Sequence, residues 1–180
     1  MLIIEGTDTL GKTTLARALQ KKIMEIGEDC PYSHYGVRPR NFDFYHGYLK
    51  RIQPWMICDR FHYSEYAYEK AQEKNPRYSV EGFEIICGNV LASGGFTVVL
   101  VSTTDFIMTQ LTRAKDDKMS NAIVCKANTF YKQLIQTHPP DCKFLIEIDE
   151  RHRAAEDEEL VQKIANEYIM RQMFLQSRNR

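Results

Sequence analysis

Apolar positions along this chain follow two patterns in alternation. Short continuous runs rich in β-branched residues are typical of buried strands, whereas apolar residues recurring every three or four positions are typical of amphipathic helices. Regular alternation of the two is typical of βα units that build a parallel sheet. We predict strands over 1–5, 32–37, 55–58, 97–102 and 144–148.

Helical patterns occupy the intervals between these strands. Ser79 is an expected N-cap, and Pro54 and the 139–140 proline pair are expected to stop the helices that precede them. The basic segment 171–180 is expected to be a frayed tail. The predicted helices cover 12–26, 42–52, 80–91, 104–111 and 122–135, followed by a last helix whose acidic first turn is 156–159.

These elements predict one α/β domain over residues 1–180. A chain of this length typically forms a single domain with its own core. Right-handed crossovers between parallel strands place helices on both faces of the sheet. The expected fold therefore has three layers, with a five-stranded parallel sheet between two layers of helices.

Charge and cysteine content limit the classes of partner and the cellular compartment that we expect. The 24 basic residues balance the 24 acidic ones, which argues against a nucleic-acid partner because such proteins normally carry a basic excess. Five cysteines without a C-x-x-C spacing disfavour a disulfide framework or a zinc site and favour a reducing, cytoplasmic location. No signal peptide is expected, and no membrane span either, since the most apolar run, 96–101, is far shorter than ~20 residues.

Segment 6–13 contains the first sequence motif that indicates a chemical function. Its sequence fits the phosphate-binding pattern G-x-x-x-x-G-K-[ST] between a predicted strand and a predicted helix, which indicates a P-loop NTPase fold. The backbone N–H groups of such a loop attract phosphate oxygens. Lys12 would add a charge for the β- and γ-phosphates of ATP, and the Thr13 hydroxyl would bind Mg²⁺. The expected cofactor-binding residues are Gly6, Thr9, Leu10, Gly11, Lys12, Thr13 and Thr14.

Asp59 and Arg60 follow the predicted strand 55–58. The C-terminal ends of parallel strands line the ligand crevice of α/β folds. A carboxylate there can hold Mg²⁺ or accept a proton, and an Arg matches phosphate oxygens. A surface ion pair that merely closes the strand is the alternative. Beside the phosphate loop, we favour a catalytic role for both residues, with Asp59 and Thr13 as metal ligands.

Two segments resemble thymidylate kinases. Residues 5–14 are similar to the opening E-G-x-D-x-x-G-K-[ST]-T of that family, and residues 59–68 are similar to its D-R-[YFH]-x-x-S-x-x-A-[YF] segment. A weaker similarity to the F-x-x-[RK]-V-R-x-x-Y segment covers 123–131. The order of these motifs agrees with the family over most of the chain.

The resemblance implies transfer of the γ-phosphoryl group of ATP, with Mg²⁺, to a pyrimidine deoxynucleoside monophosphate: dTMP, dUMP or a 5-modified dUMP. Matched by position, Asp8 would lie near the acceptor sugar and phosphates, and Asp59 would organise the metal and the acceptor side. Arg60 would bridge the donor and acceptor phosphates. Ser64 and Tyr68 would face the nucleoside. The family commonly forms homodimers, so a homodimer is a further expectation.

The segment 35–41 departs from the family. It shares Arg38 and the following proline with the family's R-[ED]-P-G-G-T segment but lacks the G-G-T. Arg38 is therefore an expected acceptor ligand in a reshaped pocket. Phe42 and Tyr45 are candidates to stack on the base, although core packing of an amphipathic helix would also explain them.

The charged segment 113–121 is the predicted lid, which would close over the phosphates and exclude water. Arg113 is the cation that we expect to reach the transferring phosphoryl group. A solvated loop between helices is the alternative interpretation. The expected catalytic residues are Lys12, Asp59, Arg60 and Arg113.

Three other functions remain open at this point. A deoxynucleoside kinase has a related fold but would prefer E-R-S where this chain has Asp59-Arg60-Phe61. A kinase of a modified base in DNA is weakened by the neutral charge, because tracking duplex DNA usually needs a basic stripe. A non-catalytic nucleotide-binding module would not need an arginine on the acceptor side.

Overall fold

Five parallel strands form one sheet in the order β2-β3-β1-β4-β5. Their bounds are Leu2–Gly6 for β1, Tyr32–His34 for β2, Ile57–Asp59 for β3, Phe96–Ser102 for β4 and Cys142–Ile148 for β5. The structure is a computed structural model that describes residues 1–36, 43–77, 79–114 and 119–178, without the side chains of Phe44 and Tyr45. The parallel sheet expected from the alternating pattern is confirmed.

The helices in the described ranges connect these strands. None of the helices is long and apolar enough to cross a lipid bilayer, within the residues that the structure describes. Their bounds are Lys12–Met24 for α1, Phe44–Leu49 for α2, His62–Ala71 for α3, Val80–Ala92 for α4, Thr104–Ala114 for α5, Asn121–Gln136 for α6 and Glu158–Arg178 for α7.

Both faces of the sheet are buried, because successive side chains of a strand point to opposite faces. Leu2 and Ile4 of β1 pack into one core with α1, α5 and α7. Ile3 packs into a second core with α2, α3, α4 and α6. The predicted arrangement of three layers, with helices on both faces, is thereby confirmed.

Local signals account for several element ends. The Ser79 hydroxyl accepts a hydrogen bond from the Gly82 amide at 3.1 Å, which confirms it as the N-cap of α4. Asp43 caps α2 in the same way, since its carboxylate accepts from the His46 amide at 3.1 Å. Each cap satisfies an amide that has no partner inside the helix.

Apart from shifts of a few residues in the bounds of strands and helices, two parts of the chain differ from the sequence expectation. Helix α3 was not predicted, because aromatic and small residues on several sides of it obscure a single apolar stripe. The expected frayed tail is wrong for 171–178, which continues α7. Gln172 is buried there, and its side-chain amide donates to the Ser93 carbonyl at 3.0 Å.

Adjacent residues of β5 provide a test of this core. Ile146 is buried, whereas Leu145 is 54% exposed. We expect Ile146→Ala to lower the free energy of unfolding by about 2–5 kcal/mol, because it removes packed atoms and leaves a cavity. The matched change Leu145→Ala should cost about 0.5 kcal/mol. Urea unfolding measures both, and equal losses would contradict the assigned register of β5.

Candidate functional site

The loop between β1 and α1 depends on glycine at its first position. Gly6 has φ +136°, and a Cβ there would lie 2.4 Å from the Leu100 carbonyl oxygen of β4. Only glycine permits that approach. Gly11 precedes α1 in the left-handed region, with φ +81°. The first turn of α1 contains no acidic residue, so its N-terminus is open to an anion.

Lys12 lies inside this loop and not in solvent. Its side chain is buried, and its ammonium donates a hydrogen bond to the Thr7 carbonyl at 2.6 Å. Burial disfavours the charged form and, with the nearby Arg60 charge, lowers the pKa of Lys12 to about 8. The loop therefore holds its cation in place before any phosphate arrives.

The side chains of Thr13 and Asp59, both expected metal ligands, contact each other beside the phosphate loop. The Thr13 hydroxyl donates to Oδ2 of Asp59, which also accepts from the Tyr32 hydroxyl at 3.1 Å. His34 Nδ1 lies 3.1 Å from the same oxygen. Burial alone would raise the pKa of Asp59, but the Thr13 hydrogen bond and the Lys12 charge hold it below its usual value.

The other oxygen of Asp59 fits a bound cation. Oδ1 is buried and has no hydrogen-bond partner among the described residues. A buried carboxylate oxygen normally has a partner, and Mg²⁺ prefers carboxylate and hydroxyl oxygens. Asp59 and Thr13 are therefore the residues that would hold a divalent cation beside the phosphate loop.

Arg60 connects the phosphate loop to α3. Its guanidinium donates to Oδ1 of Asp8, and the Tyr68 hydroxyl donates to Oδ2 of Asp8 at 2.9 Å. The guanidinium carbon lies 5.3 Å from the centre of the Tyr68 ring. Burial works against the charge on Asp8, but the Arg60 and Lys12 charges outweigh it and lower the pKa of Asp8. Three predicted acceptor residues thus form one cluster.

A second carboxylate, which sequence reasoning did not assign a role, lies directly behind this cluster. Glu5 is fully buried and accepts from the amides of Phe61 at 2.7 Å and Ser64 at 3.2 Å. The hydroxyls of Ser64 and Tyr131 donate to its other oxygen at 2.5 and 3.0 Å. Ser64 therefore contacts Glu5, in addition to its predicted place at the nucleoside. The available signal was a charged residue within the apolar run 1–5.

A cavity of ≈ 500 Å³ opens beside these residues. Four predicted acceptor residues line it: Asp8, Arg60, Ser64 and Tyr68. A polar wall that the sequence did not indicate completes it, formed by Glu65, Glu69, Gln72 and Arg77. Within that wall, Arg77 Nε lies 2.6 Å from a Glu69 oxygen.

Other predicted residues are not placed at the cavity. Arg113 lies exposed in the last turn of α5 and is not among the described residues that line the cavity. Residues 115–118, four of the nine positions of the predicted lid, lie outside the described ranges, and so do Arg38 and Phe42 and the side chain of Tyr45. Their roles stay predictions.

The remaining loop residues divide by exposure. Leu10 is buried in the core below the loop, whereas Thr14 points to solvent in the first turn of α1. Thr9 has a positive φ of 68°, and its hydroxyl donates to the Asp8 carbonyl at 2.5 Å. Their predicted contacts with a nucleotide would thus come mainly from the backbone of the loop.

Comparison with known proteins identifies similar folds only. No protein-family model and no curated protein matches this chain. The YorR protein from Bacillus subtilis in complex with phosphorylated GDP has a TM-score of 0.65 at 18% identity, covering 92% of this chain and 96% of that chain. This likeness confirms the predicted three-layer α/β fold.

Two further solved structures resemble the chain more distantly. Thymidylate kinase from Ehrlichia chaffeensis has a TM-score of 0.49 at 15% identity, covering 94% of this chain and 96% of that chain. Deoxyadenosine kinase from M. mycoides, with the products dCMP and a flexible dCDP bound, has a TM-score of 0.46 at 12% identity and covers 98% of both chains.

The lowered pKa of Lys12 predicts a proton linkage. Bound polyphosphate favours the ammonium form, so nucleotide binding should take up a proton above pH ~8 and weaken as the pH rises further. Isothermal titration calorimetry in buffers of different ionisation enthalpy measures the uptake. Lys12→Met should abolish the uptake, whereas Lys21→Ala, an exposed change in the same helix, should retain it. Equal uptake by Lys12→Met would contradict the assignment.

Proposed function

We propose that this protein is a nucleotide kinase that transfers the γ-phosphoryl group of ATP to a nucleoside monophosphate. One observation carries the proposal. Arg60, at the end of β3, contacts Asp8 of the phosphate loop, and both line the cavity. A donor site and an acceptor-sized cavity therefore share one wall, which a protein that only binds nucleotide would not need.

The loop between β1 and α1 would bind the phosphate donor, ATP. Its amides and the N-terminus of α1 can bind the phosphates of ATP, and Lys12 can move from the Thr7 carbonyl onto their oxygens. Mg²⁺ held by Thr13 and Asp59 would supply positive charge that offsets the negative charge of the β- and γ-phosphates.

The acceptor side follows from the cavity. Arg60 presents planar N–H donors that match phosphate oxygens, and Tyr68 gives it an aromatic neighbour. Two polyanions repel each other as they approach, so the cations Lys12 and Arg60 stabilise the transition state. An oxygen of the acceptor phosphate attacks Pγ, the bond from Pγ to the bridging oxygen breaks, and ADP leaves with that electron pair.

The finer proposal concerns the acceptor base. Similarity of segments 5–14 and 59–68 to thymidylate kinases favours a pyrimidine deoxynucleoside monophosphate: dTMP, dUMP or a 5-modified dUMP. Ser64 and Tyr68, the residues that this similarity assigns to the nucleoside, both line the cavity. The acceptor would thus lie along α3.

The polar wall favours testing guanine as a second acceptor class. Glu65 and Glu69 line the cavity, and an ionised carboxylate only accepts hydrogen bonds. Guanine presents neighbouring N–H groups along its pairing edge, whereas thymine presents carbonyl oxygens on both sides of one N–H. Arg77 Nε lies 2.6 Å from a Glu69 oxygen and 3.9 Å from a Glu65 oxygen, so guanine would share these two carboxylates with Arg77. Their remaining lone pairs can accept from guanine N–H groups but not from the carbonyl oxygens of thymine.

A phosphotransfer panel separates these possibilities. Purified protein with Mg²⁺ and ATP receives one acceptor per reaction, and mass spectrometry identifies the products. The acceptors are dTMP, dUMP, 5-hydroxymethyl-dUMP, dCMP, dGMP, dAMP, thymidine, and duplex DNA with and without modified uracil. A diphosphate from any monophosphate supports the proposal, and the ranking identifies the base. Phosphorylation of thymidine or DNA alone, or ATP binding without transfer, would overturn it.

Single substitutions test the assigned roles. We expect Arg60→Ala to lower kcat by about 10²–10³-fold, because it removes a charge that stabilises the transferring group. Lys12→Ala should do the same, while Lys21→Ala, on the exposed face of α1, should retain activity. Circular dichroism verifies that each variant is folded. Full activity of folded Arg60→Ala would refute the role of this residue.

Arg113 is tested in the same assay. If the predicted lid contributes a cation to the transferring phosphoryl group, Arg113→Ala lowers kcat with little change in the stability of this exposed site. Lys132→Ala, at a partly exposed cation on α6, is the control. Unchanged kcat in Arg113→Ala would remove it from the catalytic set.

A further inference from the structure

Three side chains capable of binding a metal converge in the second core, away from the phosphate loop. His62 begins α3, Cys87 lies within α4, and Asp141 precedes β5. Each of the three is fully buried, and their donor atoms all lie within 4.8 Å of one another. None of them is among the described residues that line the acceptor cavity.

The separations between donor atoms match those of a tetrahedral metal site. His62 Nε2 lies 3.3 Å from Cys87 Sγ and 3.7 Å from Asp141 Oδ2. Zinc bonds of about 2.0–2.3 Å to nitrogen, oxygen and sulfur place neighbouring ligand atoms about 3.3–3.6 Å apart in a tetrahedron. The two separations from His62 are therefore close to the spacing that a shared ion would require, and the third, between Cys87 and Asp141, is at most 4.8 Å.

Two hydroxyl groups outside the cluster hold the Asp141 carboxylate in position. The Tyr63 hydroxyl donates to Asp141 Oδ1 at 2.8 Å, and the Thr97 hydroxyl donates to Oδ2 at 2.5 Å. The Asp141 carbonyl also accepts from the Thr97 amide at 2.7 Å. Hydrogen bonds that orient a ligand without occupying all its lone pairs are typical of the surroundings of metal sites.

Charge also favours an ion at this position. A carboxylate in a dry core is costly unless opposite charge compensates it. A zinc ion bound by a carboxylate, a thiolate and a neutral imidazole gives a cluster of zero net charge. The mixed nitrogen, sulfur and oxygen donor set suits Zn²⁺ better than Mg²⁺ or Ca²⁺, which prefer oxygen ligands.

We propose that His62, Cys87 and Asp141 supply three ligands of a tetrahedral Zn²⁺ site, with a water molecule as the fourth ligand, and that the ion ties α3, α4 and the start of β5 together. Binding releases the Cys87 thiol proton to solvent, and no redox step is involved. Because the site is fully buried, the ion enters as the chain folds. His62 follows Arg60 by two residues, so the ion would also fix the start of α3. The proposal does not depend on the kinase assignment.

Metal content tests the site directly. The full chain is expressed in zinc-supplemented medium, freed of loose metal by gel filtration, and analysed by inductively coupled plasma mass spectrometry. We expect one zinc ion per chain in the wild type, and about tenfold less or lower in His62→Gln and Cys87→Ser. Cys142→Ser is the matched control, since it removes the thiol next to Asp141 that lies outside the cluster, and it should retain the ion.

A second measurement starts from the wild-type chain. Wild-type chain is unfolded, stripped with a chelator and refolded with Co²⁺, and its absorption spectrum is recorded. A thiolate-to-cobalt charge-transfer band in the near ultraviolet supports cysteine ligation, and its loss in Cys87→Ser together with its retention in Cys142→Ser assigns it to the cluster. Wild type that refolds by circular dichroism but holds neither Zn²⁺ nor Co²⁺ overturns the proposal, as does a band that persists in Cys87→Ser.

Discussion

The buried carboxylate of Glu5 is the point at which β1, α3 and α6 meet. Its oxygens accept four hydrogen bonds, from two amides at the start of α3 and from the hydroxyls of Ser64 and Tyr131. Burial raises the pKa of Glu5, while these hydrogen bonds oppose that rise. Glu5 immediately precedes Gly6, so the same interaction fixes both the phosphate loop and the helix that carries Ser64 and Tyr68.

The hydrogen bonds to Glu5 also help to hold the backbone of Arg60 in a strained conformation. Arg60 has φ 70°, a region that costs a non-glycine residue of order 1–3 kcal/mol. The Arg60 amide donates to the Ile4 carbonyl at 2.9 Å, and the next amide, of Phe61, donates to Glu5. The backbone is thus held on both sides of the strained residue, and its side chain is directed toward Asp8.

The sequence allowed the sheet, most helices and the phosphate loop to be predicted, because each depends on local pattern: runs of apolar residues, helical periodicity, and glycines beside Lys12 and Thr13. The meeting of Thr13 with Asp59 also followed, since parallel strands end at one edge. Helix α3 did not follow, because its apolar stripe is obscured. The role of Glu5 and the cluster around His62 did not follow either, because their partners are distant in sequence and only tertiary packing brings them together.

The contact between Arg60 and Asp8 has a consequence for selectivity. Without substrate, the guanidinium is already neutralised by a carboxylate of its own chain. A monovalent anion that enters the cavity gains little by replacing one single negative charge with another. A phosphate monoester dianion brings a second charge and a further oxygen for the same fork of donors. In the proposed kinase, Asp8 would thus compete with any incoming anion for Arg60, and this competition would favour a phosphate monoester dianion over a monovalent anion.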